Sequence, residues 1–397
     1  LVGSEMCIRD RTKWGLILNF IHEIIIRMNY IFIILAFVIS VCIALFVIPR
    51  ILLISLRKRL FDIPDKRKIH TCAIPRLGGV SFFPTILFSC CLVLAFRTIT
   101  GYYISDLHAT CFLLECLFLV CGLTLLYLTG ITDDLIGVRY RQKFVIQILC
   151  ACFFSVAELW INDLYGLLGI YAIPNWIGIP FTILTIVFIT NAINLIDGID
   201  GLASGLSSVA LLVFGLLFIE KGLWMYSMLA FSTLGVLVPF FYYNVFGNAE
   251  RARKIFMGDT GSLTLGYILS FLAIKYSQNN PEVISNTKGT FLIAFSTLII
   301  PAFDVIRVVM VRLRNGKSPF EPDKNHIHHK FLAMGFTPRK AMIIIILISC
   351  AFSVVNILLI PWVNNTVILI GDIVAWIALN LWWDKVRDKR THLNRLY

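Results

Sequence analysis

The chain is short of charge: Asp, Glu, Lys and Arg make up 15% of its 397 residues, against 58% hydrophobic residues. Soluble domains carry about 25% charged residues, so a freely soluble globular protein is excluded. No Cys-x-x-Cys pair occurs among its eleven cysteines, and Cys90, Cys91, Cys111, Cys116 and Cys121 all lie within apolar runs. Neither a cysteine zinc site nor a disulfide framework fits that placement, and these residues read as small buried hydrophobes. No convincing internal repeat is present either, which argues against the duplicated architecture of many secondary transporters.

What the chain has in abundance is apolar runs of about 17 to 25 residues, each long enough to cross a bilayer as a helix. The reading is an all-α, polytopic integral membrane protein. Spans are expected near 29–49, 79–97, 111–131, 144–161, 176–194, 203–220, 224–243, 260–275, 289–311, 341–361 and 365–383, about eleven in all. The spans at 144–161 and 260–275 are short and contain polar residues, so ten is the alternative count. Residues 1–27 differ in character from the rest and are expected to be a non-native or disordered leader without function, with Met28 as the natural start.

The formal net charge of +12 would suggest nucleic acid in a soluble protein. Here the basic residues follow loop parity instead. One side collects Arg50, Arg57, Lys58, Arg59, Lys66, Arg67, Lys68 and Arg76, then Arg139, Arg141 and Lys143, then Arg251, Arg253 and Lys254, then the 312–340 stretch and the tail. The other side holds little beyond Arg97, Lys221, Lys275 and Lys288. By the positive-inside rule the first side is cytoplasmic and the amino end is outside, and no nucleic-acid partner is needed to explain the charge.

Every polar cluster then falls on the cytoplasmic side. Asp133-Asp134 ends the third span, and adjacent positions cannot share one helix face, so each carboxylate has a different task or the pair is merely a solvated helix end. Arg139, Arg141 and Lys143 follow and can bind phosphate. Asn191, Asn194 and Asp197 recur three apart at the end of the fifth span, with Asp200 beyond a glycine turn. Oxygen donors of this kind suit a hard cation such as Mg²⁺, whereas a polar helix seam would explain the asparagines but not the aspartates. Gly258-Asp259-Thr260-Gly261-Ser262 opens the eighth span, where exposed amides attract phosphate and Asp259 can hold a metal or simply cap the helix. His326, His328 and His329 lie in the 312–340 loop with Lys324 and Lys330 and suit phosphate or leaving-group contacts better than zinc, because no cysteine accompanies them. Asp304 and Arg307, three apart in the ninth span, read as a structural pair.

In order and in sidedness these motifs resemble the polyprenyl-phosphate N-acetylhexosamine-1-phosphate transferases, glycosyltransferase family 4, over nearly everything after Met28. The resemblance rests on Asp133-Asp134, Asn191-x-x-Asn194-x-x-Asp197-Gly-x-Asp200-Gly, Gly258-Asp259-x-Gly-Ser and His326-x-His328-His329. It implies one transferase domain over 28–397 in a bacterial inner membrane, multi-pass, with its active site in the cytoplasm. The implied reaction moves a sugar 1-phosphate from a UDP-sugar to undecaprenyl phosphate, releases UMP and uses Mg²⁺, with Mn²⁺ as the alternative. Its partners are those two substrates and the membrane, and a homodimer is allowed. By residue match, Asp259 and Asn194 resemble metal contacts, and Asp133, Asp134 and Asp197 resemble catalytic or supporting carboxylates. Asp200 resembles a nucleoside-pocket residue, and Asn191, Lys143, Arg76, His326, His328 and His329 are expected on the substrate side.

Ile74-Pro-Arg76-Leu-Gly-Gly79 and the interrupted histidine motif look more like the N-acetylglucosamine branch, which initiates envelope polysaccharides such as O-antigen. The muramoyl-pentapeptide branch, typically with a continuous histidine run, is the nearer rival, and a membrane transporter is the rival of another class. The CDP-alcohol phosphotransferases fit less well, because Leu202-Ala203-Ser204 follows the second Asp-Gly pair where their longer pattern puts Ala-Arg soon after the first.

Overall fold

The structure, a computed structural model, describes residues 2–60, 74–102, 107–251, 253–280 and 289–393 apart from 320, 322 and 324. Lys66, Arg67, Lys68 and Lys324 therefore lie outside the described residues. Helix α1 (Val2–Arg57) runs unbroken from the expected leader into the first span. A 3-10 turn (Gly78–Ser81) leads into α2 (Phe82–Ile99), followed by α3 (Leu107–Ile136) and α4 (Tyr140–Val156). A small antiparallel hairpin of β1 (Asp163–Leu167) and β2 (Ile170–Ala172) comes next. Then follow α5 (Asn175–Ile196), α6 (Leu202–Glu220), α7 (Trp224–Phe241) with a π-helical turn at Tyr242–Phe246, and α8 (Gly258–Ser277). The chain closes with α9 (Thr290–Ser296), α10 (Ile299–Arg314), α11 (Ile327–Ala333), α12 (Pro338–Leu359) and α13 (Asn365–Leu393).

Among the described residues, eight helices are long and apolar enough to cross a membrane, or nine if α9 and α10, bent by 76°, form one broken span. That is fewer than the eleven expected, although each expected span has a helix at its place. The two outside this count are α4, with only 17 residues, and α8. Helix α8 shows why composition alone misjudges it. Every residue from Thr260 to Ser277 is buried, with α3, α5 and α6 packed around it, so no face needs to be apolar toward lipid. Its hydroxyls are satisfied internally, as where Thr264 and Ser270 each donate to the carbonyl one turn back at 2.7 Å.

One residue counted in a loop of the opposite side, Lys275, belongs inside the bundle. Lys275 is 2% exposed in the last turn of α8, where its ammonium meets Glu115 of α3 at 2.6 Å. Tyr226 of α7 donates to the other Glu115 oxygen at 2.7 Å. Gln278, just beyond α8, is buried as well and donates to the Glu158 carbonyl at 2.6 Å.

The other end of α8 is fixed by backbone contact. Gly78 and Gly79 donate to the carbonyls of Phe256 and Met257 at 2.9 and 2.8 Å, and Phe256 donates back to Pro75 at 2.8 Å. A Cβ on Gly79 would collide with the backbone of Gly261, and one on Gly130 of α3 would collide with that of Thr260. Three chain segments thus meet main chain to main chain where α8 begins, and Arg76 is carried to the same place.

Candidate active site

Asp134 sits in the last turn of α3 facing the start of α8, and its two oxygens accept from the Asp259 amide at 2.8 Å, the Thr260 amide at 3.0 Å and the Thr260 hydroxyl at 2.6 Å. It is the cap of α8, satisfying amides that have no partner within that helix. Asp133, one residue earlier, points elsewhere. Its Oδ1 accepts from the Val138 amide at 2.6 Å and its Oδ2 faces the Lys143 ammonium at 2.5 Å. Lys143, from α4, bridges onward to Asp259 in a second close ion pair. The adjacent aspartates therefore divide the work: Asp134 orients the Asp259 backbone, while Asp133 and Asp259 share one cation.

Asn194, near the end of α5, donates to Asp259 and to the Ser262 hydroxyl, both at 2.8 Å. Its amide oxygen takes no hydrogen bond among the described residues and remains available as a ligand. Asn191, one turn deeper, is occupied otherwise. It donates to Gln147 of α4 at 2.6 Å and to the Val187 carbonyl at 2.7 Å, tying α4 to α5 away from the cleft.

Beyond α5 the chain turns sharply through Asp197-Gly198-Ile199-Asp200, and both carboxylates line a cleft of about 400 Å³ together with Arg76, Asn194, Lys254 and Asp259. Asp197 has no side-chain hydrogen bond among the described residues. Burial, reinforced by the like charges of Asp200, Asp259 and Asp134 and offset by Arg76, pushes its carboxyl up to about 7. Asp200 is paired with Lys254 at 2.6 Å. Asn244, in the π-helical turn, accepts from the Gly201 amide at 2.6 Å and donates to the Ile255 carbonyl at 2.9 Å, joining the turn to the segment that carries Lys254.

Lys254, Asn244, Thr260 and Gln147 were not singled out as site residues from sequence. In the sequence Lys254 reads only as loop charge, and an asparagine within Tyr-Tyr-Asn-Val-Phe is the signal for Asn244.

No histidine lines the cleft among the described residues. His326 Nδ1 lies 2.9 Å from the buried Asp304 carboxylate, which also accepts from the Ile327 amide at 3.0 Å and from Arg307 at 2.7 Å. The expected structural pair of Asp304 and Arg307 thus also anchors the histidine motif. Lys330, expected to add charge to the site, is buried and bound to Asn380 and Asp384 of α13, at 3.1 and 3.0 Å.

Among the described residues no three histidine, cysteine or acidic side chains converge as a closed metal cage. The donors present fit a hard divalent cation that takes few protein ligands and completes its shell with water and phosphate. The Lys143 ammonium, held between Asp133 and Asp259, marks the point where positive charge is stabilised, and the Asn194 carboxamide lies beside it.

This junction of α3, α4, α5 and α8 lies within a stretch of the chain that other proteins share. The profile described as Glycosyl transferase family 4 matches residues 116–277. A Bacillus subtilis protein named probable undecaprenyl-phosphate N-acetylglucosaminyl 1-phosphate transferase is 32% identical over 336 residues, covering 82% of this chain and 85% of its own. Proteins named undecaprenyl-phosphate alpha-N-acetylglucosaminyl 1-phosphate transferase from Yersinia pestis and Escherichia coli K12 are each 30% identical, covering 77% and 75% of this chain and 78% and 76% of theirs. With its carboxylate motifs assembled around the matched helices and similarity running through most of its length, the chain belongs to glycosyl transferase family 4.

Proposed function

We propose that the protein transfers N-acetylglucosamine 1-phosphate from UDP-N-acetylglucosamine to undecaprenyl phosphate, releasing UMP and leaving the sugar on a lipid pyrophosphate. The observation that carries this reading is the cleft and its rim, where five carboxylates (Asp133, Asp134, Asp197, Asp200, Asp259) and three cations (Arg76, Lys143, Lys254) converge at one end of a membrane bundle. Relatives bearing the corresponding name support the choice of sugar.

An oxygen of the lipid phosphate attacks the phosphorus that bears the sugar, and the bond to the UMP phosphate breaks. Positioning and charge neutralisation supply most of the catalysis in such a transfer. Asp259 and Asn194, with Asp133 beside them, would hold Mg²⁺, which supplies neutralisation of the diphosphate when bound. Asp200, Lys254 and Asn244 form the nucleoside side of the cleft, and Arg76 brings a further cation to the diphosphate. Asp133 and Asp197 order the acceptor phosphate and accept its proton whenever it arrives singly ionised. Asp134, which also lines the cleft, has the task of holding the start of α8 and the Asp259 backbone in this scheme.

The cleft faces the cytoplasm, where nucleotide sugars are found, in keeping with the basic loops around it. A membrane-impermeant thiol reagent is expected to reach Leu168→Cys in the hairpin from outside and Arg139→Cys from inside, each compared with the parent chain. The reverse pattern would invert the topology. The reaction is tested by incubating membranes that contain the protein with labelled UDP-N-acetylglucosamine, undecaprenyl phosphate and Mg²⁺. Labelled lipid and UMP are expected. Neither product would remove the assignment, and turnover only with UDP-muramoyl-pentapeptide would select the other branch.

A further inference from the structure

The contact between His328 and Gly198 assigns the histidine motif a role in shaping the site. We infer that His328 is a positioning residue whose ring buttresses the Asp197–Asp200 turn through Gly198, braced in turn by His326 and Asp304. The inference rests on the transferase reading for its catalytic consequence, though not for its geometry.

Gly198 adopts no left-handed backbone, so the turn itself does not demand glycine there. What demands it is His328, because a Cβ on Gly198 would collide with the Nε2, Cε1 and Cδ2 atoms of that ring. The ring is 2% exposed, and its Nδ1 has no partner among the described residues. Burial, together with His329 and His326 nearby, pushes the ring down to about 3, so it is neutral and brings no positive charge to a phosphate. A neutral, buried ring pressed on a glycine acts by shape.

The brace behind it is continuous. His326 stacks parallel to His328, with ring centroids 5.8 Å apart and planes 5° apart, and Asp304 fixes His326 through Nδ1. Asp304 also takes the Ile327 amide, pinning the start of α11 to α10. Lys330 holds the same short helix to α13, and Arg312 grips Asp323 with two hydrogen bonds of 2.9 and 3.1 Å, folding the preceding loop back. Helix α11 is thereby secured on three sides, and His328 transmits that fixed position to the two carboxylates flanking Gly198.

The test is a cycle of Gly198→Ala, His328→Ala and the double variant in the full chain, with kcat and KM for UDP-N-acetylglucosamine measured in membranes. Gly198→Ala should lower kcat about 100-fold, the effect of moving reacting groups by about 1 Å. His328→Ala should lower kcat by a smaller factor, because the turn loses its support without being displaced. The double variant should recover at least about 10-fold over Gly198→Ala, because the cavity left by the ring admits the new methyl group. A double variant no better than Gly198→Ala would overturn the buttress, as would losses that multiply as expected for a histidine bound to phosphate. Unfolding temperature follows the same steric cycle independently of turnover, and Gly198→Ser with His328→Ala provides a second pair if the alanine variant folds poorly. An inactive wild-type chain whose unfolding temperatures still showed the rescue would remove the transferase reading and keep the contact.

Discussion

Helices α3 and α8 lie side by side and carry charge at both ends of their contact. At the far end Glu115 meets Lys275 and Tyr226, each 5% exposed or less, and one carboxylate is matched by one ammonium and one hydroxyl. At the cleft end the same helices present Asp133, Asp134 and Asp259, joined by Asp197 of the turn after α5, with Lys143 divided between two of them. The first arrangement is saturated and closed. The second has more negative charge than its cations neutralise, and it opens to solvent. Buried pairs of the first kind contribute little net stability but are costly to break, whereas an unbalanced cluster of the second kind has affinity left for something else.

Replacing a cleft carboxylate should therefore spare the fold and remove the chemistry. Asp259→Asn is expected to insert normally and to lose at least about 1000-fold in kcat, roughly 4 kcal/mol of barrier. Wild-type turnover of labelled lipid in that variant would refute a metal role and erase the contrast between the two ends. The opposite pattern is expected at the closed end. Lys275→Met, which strands a buried carboxylate, should cost about 3–5 kcal/mol of stability in thermal unfolding. Combining it with Glu115→Gln should restore most of that, and a double variant as unstable as the single one would show the pair to be more than charge compensation.

A pH dependence sharpens the comparison further. Because the Asp197 carboxyl is pushed up to about 7 from an ordinary 3.8, the folded chain binds more protons than the unfolded chain across that window. In EDTA its contribution to stability is present below the lower value and is lost as pH rises toward the upper one. The unfolding midpoint should fall over that range, should fall less when Mg²⁺ neutralises the cluster, and should lose this component in Asp197→Asn. An unchanged slope in the variant would mean that another group is responsible. The smallest effect is expected at Asn191→Ala, which removes the tie to Gln147. About 1–2 kcal/mol of stability should be lost with turnover close to that of the wild type. A loss of turnover exceeding the loss of stability would bring Asn191 back to the substrate side.

Much of this was legible in the residues, and the limits have physical causes. The apolar runs mark where the helices lie, and among the described residues eight, or nine with the bent α9–α10 pair, have the length and composition that bilayer thickness imposes. The adjacent Asp133 and Asp134 could be given separate tasks, since neighbouring helix positions point in different directions. Which task each has depends on α8, more than a hundred residues away, and no local pattern carries that. Helix α8 itself was expected to be a marginal span because hydropathy reports contact with lipid, and this helix has little. Lys275 reads as loop charge because its partner Glu115 is 160 residues distant. The β1–β2 hairpin went unnoticed, since Asp-Leu-Tyr-Gly-Leu is too short for an alternating pattern to stand out. The histidines are expected on the substrate side, and the packing of His328 on Gly198 is a contact between residues far apart in sequence that no local pattern carries.

The backbone junction of Gly79, Gly130, Thr260 and Gly261 has a further consequence, for inhibition. Resistance to a bound inhibitor ordinarily arises when a side chain lining the site is exchanged for a bulkier or differently charged one. Here the wall at Met257–Asp259 is backed by a buried junction of main chain pressed on main chain, and even one added methyl group at Gly79 or Gly130 has nowhere to go. A compound resting against the start of α8 would contact a surface that the protein has few ways of redrawing while keeping Asp259 in place.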